Sequence, residues 1–233
     1  MKKFVKLSAL AAVLVASATF ASAASITLNS AAGNSGSDAN GALAFLGYNS
    51  SELTAIPGSL TYATNLGTAT SATQTILPLG VWDGPLGSSS WVSFAATGPG
   101  GLVALNGTYV YQTTFDTSGL GGTEFAGNLT ILADDTVSVF LNGAPVLIAG
   151  PVGGDGHCSD NEPTCLGTGT LVNLSGIVSG TNTLTFVVEQ TKLDATGLDF
   201  TGSVAAVPEP SSLLLLGTGL IGSAGAMFRR MRK

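Results

Sequence analysis

The sequence predicts an all-β fold, an antiparallel β-sandwich over residues 24–206, between a signal peptide at 1–23 and a transmembrane helix within residues 207–233. Three observations carry this. Apolar and polar residues alternate with period two in short stretches after residue 107, which puts alternate side chains on opposite faces of a strand. Turn-forming residues punctuate those stretches. Residues 24–206 hold no long amphipathic helix pattern. Many short strands between turns suit a sandwich rather than a parallel α/β sheet.

The elements follow in chain order. Lys2, Lys3 and Lys6 precede an apolar run from Leu7 to Phe20, which closes on Ala21-Ser22-Ala23. A basic start, an apolar middle and small residues at the cleavage positions make a secretory signal, so the mature chain is expected to begin at Ala24. Ser25 to Leu28 reads as an opening strand and Ala42 to Tyr48 as another, with a loop-rich Thr/Ser/Ala stretch from Ser50 to Thr75. Tyr109, Tyr111, Thr113 and Phe115 share one face of a strand. Leu129 and Ile131 open the next, which runs into Ala133-Asp134-Asp135. Val137, Val139 and Leu141 share a face opposite Ser138 and Phe140. Asn142-Gly143 then supplies the two positive-φ positions of a tight hairpin, and Ala144 to Ile148 returns. Gly180-Thr181-Asn182 turns into Leu184, Phe186 and Val188, and Phe200 and Val204 mark the last strand.

The C-terminal end has a different grammar. Val207-Pro208-Glu209-Pro210 is a stiff, extended peptide, because each proline fixes its own φ and restricts the residue before it. Ser211 to Phe228 is uncharged and would be roughly 27 Å long as a helix, close to a hydrocarbon core of about 30 Å. Arg229, Arg230, Arg232 and Lys233 follow and are expected to stay cytoplasmic. Pro208-Glu209-Pro210, the apolar stretch and the basic end together resemble the PEP-CTERM sorting signal. That resemblance covers residues 207–233. It implies an inner-membrane intermediate and cleavage near Pro-Glu-Pro by a membrane-embedded exosortase, in bacteria that make extracellular polysaccharide. A permanent single-pass anchor is the plainer alternative.

A second resemblance lies in the domain. Trp91, the run Tyr109 to Asp116, Ala133-Asp134-Asp135, Val139 to Gly143 and Gly180 to Leu184 resemble galactose-binding-like jelly rolls over about residues 80–206. These occur as sugar-binding modules of glycoside hydrolases and in other PEP-CTERM proteins. The chain departs from that pattern at residues 150–168, a Gly/Asp-rich loop bearing both cysteines.

Charge narrows the partners. Residues 24–206 carry thirteen acids against one base, Lys192, a formal charge of −12. Nucleic-acid binding runs on Lys and Arg contacts to phosphate and is excluded; neutral glycans and divalent cations remain compatible. Cys158 and Cys165 are the only cysteines, and in an exported chain they are expected to form a disulfide. With His157 they would make an incomplete zinc site.

Catalytic residues are expected to be none. The single histidine, His157, lies in the glycine-rich loop, and no Gly-x-Ser-x-Gly elbow supplies a poised serine. Asp134 and Asp135 are adjacent, which suits a turn better than a paired-carboxylate site. Two candidate binding features remain. Trp82 and Trp91 flank a Gly/Pro/Ser-rich segment and could offer an indole face to a sugar, or fill the core as tryptophans commonly do. Asp155, Asp160, Asn161 and Glu162 carry hard oxygen ligands of the kind calcium takes, or form a solvated acidic loop.

These features support an exported, non-enzymatic surface or matrix protein, structural or adhesive beside exopolysaccharide. Its expected partners are signal peptidase, an exosortase and extracellular polysaccharide, with no cofactor unless calcium binds. A carbohydrate-binding module and a polysaccharide hydrolase are the alternatives.

Overall fold

A computed structural model describes residues 24–30, 44–49, 71–78, 80–94, 104, 106–150, 158, 162–191, 195–208 and 210–231. The expected signal peptide, His157 and Lys192 lie outside these residues. Twelve strands are described: β1 (Ser25–Asn29), β2 (Ala44–Asn49), β3 (Ser71–Ala72), β4 (Gln74–Thr75), β5 (Val92–Ser93), β6 (Gly107–Asp116), β7 (Phe125–Asp134), β8 (Thr136–Leu141), β9 (Ala144–Leu147), β10 (Thr170–Leu174), β11 (Thr181–Gln190) and β12 (Gly197–Ala206). One helix, α1 (Pro210–Met231), follows them.

The strands form two six-stranded sheets. One runs β10-β7-β12-β5-β4, with β1 also on β12; the other runs β3-β2-β6-β11-β8-β9. Every pairing is antiparallel. From β6 to β8 the chain crosses from the second sheet to the first and back, with Asp135 alone joining β7 to β8.

The alternation read from the sequence decides which face enters the main core. Tyr109, Tyr111 and Phe115 of β6, Val137, Val139 and Leu141 of β8, and Leu184, Phe186 and Val188 of β11 all enter the main core. Leu129 and Ile131 of β7 and Leu198, Phe200 and Val204 of β12 meet them from the other sheet. Phe186 and Phe200 stack across the interface with centroids 4.6 Å apart. The opposite parity builds a small outer cluster of Val110, Phe140 and Val187. Asn142 and Gly143 take φ of 51° and 83°, as the hairpin between β8 and β9 requires.

One expectation needs amendment. The stretch from Ser50 to Thr75 ends in two short strands, β3 and β4, rather than in loop alone. The helix α1 forms where the transmembrane segment is expected, and no helix among the described residues is long and apolar enough to cross a membrane.

Candidate functional site

The outer face of the first sheet carries a covering layer to which Ile76, Trp82, Leu86, Trp91, Cys158 and Cys165 contribute. Trp82 and Trp91 lie 4.5 Å apart, tilted by 32°, and pack with Ile76, Ala195, Cys158 and Cys165 against Leu132 of β7. Beneath them is Gly197, where a Cβ would fall 2.9 Å from the Trp82 ring and 3.0 Å from that of Trp91. Only the missing side chain lets both indoles settle onto β12.

Hydrogen bonds pin this layer. Trp82 Nε1 donates to Asp134 Oδ2 at 2.5 Å, and Trp91 Nε1 donates to the Asp83 carbonyl at 3.0 Å. Leu86 N donates to Asp199 Oδ2 at 2.7 Å, while Ser30 Oγ donates to Asp199 Oδ1 at 2.8 Å. Asp83 N donates to the Cys165 carbonyl at 3.1 Å, and Gly167 N donates to the Asp83 carboxylate. Of the two roles open to Trp82 and Trp91, sugar platform or core, their burial favours the core. They are 6% and 0% exposed, so neither ring has an open face on which a pyranose could stack.

Cys158 and Cys165 are joined by a disulfide, Cα atoms 5.4 Å apart, and both sulfurs are buried in the layer. Of the candidate calcium ligands only Glu162 is described. It is exposed and accepts a hydrogen bond from Thr170 Oγ1 at 2.7 Å. Asp155, Asp160 and Asn161 lie outside the described residues, among which no group of three His, Cys, Asp or Glu could hold a metal ion.

Sequence reasoning missed how many carboxylates the domain buries. Asp134, Asp135 and Asp199 are all 0% exposed. The two adjacent aspartates do point to different partners: Asp134 to Trp82, and Asp135 to Thr191, whose N and Oγ1 donate at 2.6 and 2.7 Å. Burial raises the Asp199 carboxyl above its usual range, although bonds from Ser89, Leu86, Ser30 and Phe200 pull it down. Glu189 is half-buried between Thr108 of β6 and Thr136 of β8. Desolvation, then the charge of Asp135, pushes it up to about 7. A lone acid in a strand leaves no periodic signal, so nothing in the sequence set Asp199 and Glu189 apart.

The Glu189 shift has a definite sign. Its folded pKa lies above the ordinary 4.5, so the unfolded chain gives up this proton first. The fold is favoured below pH 4.5 and loses that advantage as pH rises toward 7. Glu189→Gln is expected to melt higher than the unchanged protein at pH 8 and at the same temperature at pH 4. Melting curves across that range check it; a gap of equal size at both ends would refute the assignment.

The chain leaves the sandwich abruptly. β12 ends at Ala206, and Val207 N donates to the Glu124 carbonyl at 2.8 Å, one step beyond the strand. Val207 and Pro208 are exposed, and Pro210 opens α1, a position where a missing N–H costs nothing. The helix closes on Arg229 and Arg230, whose charges complement its negative end.

Residues 206–233 match the PEP-CTERM protein-sorting motif. No curated protein matches the chain. The PEP-CTERM tail begins at the last residue of β12, so domain and signal abut. Of the residues expected to carry that signal, Pro208, Pro210, Arg229 and Arg230 lie among the described residues; Glu209, Arg232 and Lys233 do not. The motif indicates a surface or extracellular protein targeted to an exosortase-type enzyme.

Proposed function

We propose that this chain is an exported, exosortase-sorted protein whose β-sandwich works outside the cell without catalysis, as a structural or adhesive component beside exopolysaccharide. The observation that carries this is the PEP-CTERM motif at residues 206–233, placed directly after the last strand. On this reading signal peptidase removes residues 1–23. The tail then holds the chain at the inner membrane, basic end inward, until the enzyme cuts near Pro208-Glu209-Pro210. The disulfide fits an oxidising destination. The acidic surface of residues 24–206 suits a hydrated, neutral-glycan setting better than nucleic acid or anionic lipid.

Kinship with galactose-binding-like jelly rolls belongs to the same reading, supported by two antiparallel sheets between which β6, β7 and β8 cross. A sugar site on this sandwich would have to use a surface other than the two indoles.

Intact mass of protein recovered from cells tests the proposal. The mature chain is expected to begin at Ala24 and to end close to Pro208-Glu209-Pro210. Recovery of a chain that still carries Arg229 to Lys233 would favour a permanent anchor and overturn the sorting reading.

A further inference from the structure

Two features fix how far the cleavage signal lies from the folded domain. β12 ends at Ala206 and α1 starts at Pro210, so residues 207–209 alone connect them. Fully extended, such a connection reaches about 10–11 Å. Its first residue is also held, because Val207 N donates to the Glu124 carbonyl at 2.8 Å and so continues the β7–β12 ladder. Pro-Glu-Pro therefore starts at the rim of the sandwich.

That rim is a built surface. Thr117 N donates to the Gly180 carbonyl at 3.0 Å and Thr117 Oγ1 to the Val178 carbonyl at 2.8 Å, tying segment 117–124 to segment 176–180. A Cβ on Gly122 would lie 2.8 Å from the Cβ of Ala206, so the first segment presses on the strand that leads to the tail. Val178 and Val207 stand exposed here, at 51% and 37%. Asp116, just before the first segment, and Glu124, which pairs with Val207 through its backbone, are exposed as well.

Resting on the reading that the tail is processed, we infer that this rim is part of the surface the exosortase-type enzyme engages. The enzyme meets folded domain and cleavage peptide together. A held Val207 and a proline-fixed φ at Pro208 remove conformational freedom before binding, which lowers the entropy cost of capture. The partner surface that fits offers apolar contact to the two valines and cationic groups to the two carboxylates. Those carboxylates disfavour an anionic lipid surface as occupant.

The test uses the full chain in cells with and without the processing enzyme. A flexible Gly/Ser linker inserted between Ala206 and Val207 frees the peptide from the rim and is expected to slow tail removal roughly tenfold. Val178→Glu is expected to slow it as well, at an unchanged melting temperature. Val81→Glu, exposed on a different segment, leaves the rate unchanged. Equal or faster tail removal in the linker chain, or a normal rate in Val178→Glu, overturns the inference alone. An unmodified chain that keeps its tail when the enzyme is present overturns the sorting reading and this inference with it.

Discussion

Phe186→Ala is expected to cost about 3–5 kcal/mol of stability, the range for deleting a buried aromatic ring. The ring is fully buried in β11, stacked on Phe200 of β12 with centroids 4.6 Å apart. Within its own sheet it stands opposite Tyr111 of β6 and Val139 of β8. It therefore joins the two sheets at the middle of the core, where little can collapse into the space it leaves. Small domains are stable by only about 5–15 kcal/mol, so a marginal fold would not survive the change. Urea unfolding should show a lower midpoint at an unchanged slope, and Phe186→Leu a smaller loss. A midpoint equal to that of the unchanged protein would mean that the two sheets do not meet through this ring.

The second large effect concerns the covering layer. Replacing both Cys158 and Cys165 by Ala opens a loop of sequence separation seven, which costs about 2–3 kcal/mol by chain entropy. The loss should be local in its readout. Asp83 N bonds the Cys165 carbonyl, Gly167 N bonds the Asp83 carboxylate, and both sulfurs pack with Trp82 and Trp91. Loosening the loop therefore wets the two indoles before it disturbs Phe186 or Phe200. Tryptophan emission should shift to the red on reduction, at temperatures where far-ultraviolet dichroism still reports intact sheets. Emission that stays constant until the whole domain melts would show that the layer holds without its disulfide.

The sandwich was legible where side chains alternate without interruption. Tyr109 to Phe115, Val137 to Leu141 and Leu184 to Val188 each send one parity into the main core, and Asn142-Gly143 takes the backbone its residue types favour. The tail was legible because proline, charge and apolar length are all local properties. β5 was not, since two residues cannot display a period. β10 was missed although Val172 and Leu174 are buried, because it follows the cysteine loop and exposes Leu171. The site resisted for a different reason. Whether Trp82 is platform or core depends on Asp134, Gly197 and Leu132, which are far from it in the chain. No local pattern records such contacts. Asp199 and Glu189 are isolated acids whose meaning comes wholly from what surrounds them.

The position of β12 also bears on when the domain becomes a solid object. This strand is the last before the tail, yet it pairs with β7 through ten residues and is the partner of β1, the first described strand. A chain threaded outward from its N-terminus thus exports β1 and β7 long before the strand that must lie between them. The first sheet cannot close until the chain is available through residue 206, where the sorting motif begins. Such long-range pairing is slow by nature. On the proposed export route, this sheet is therefore completed late, once the last strand before the tail is outside.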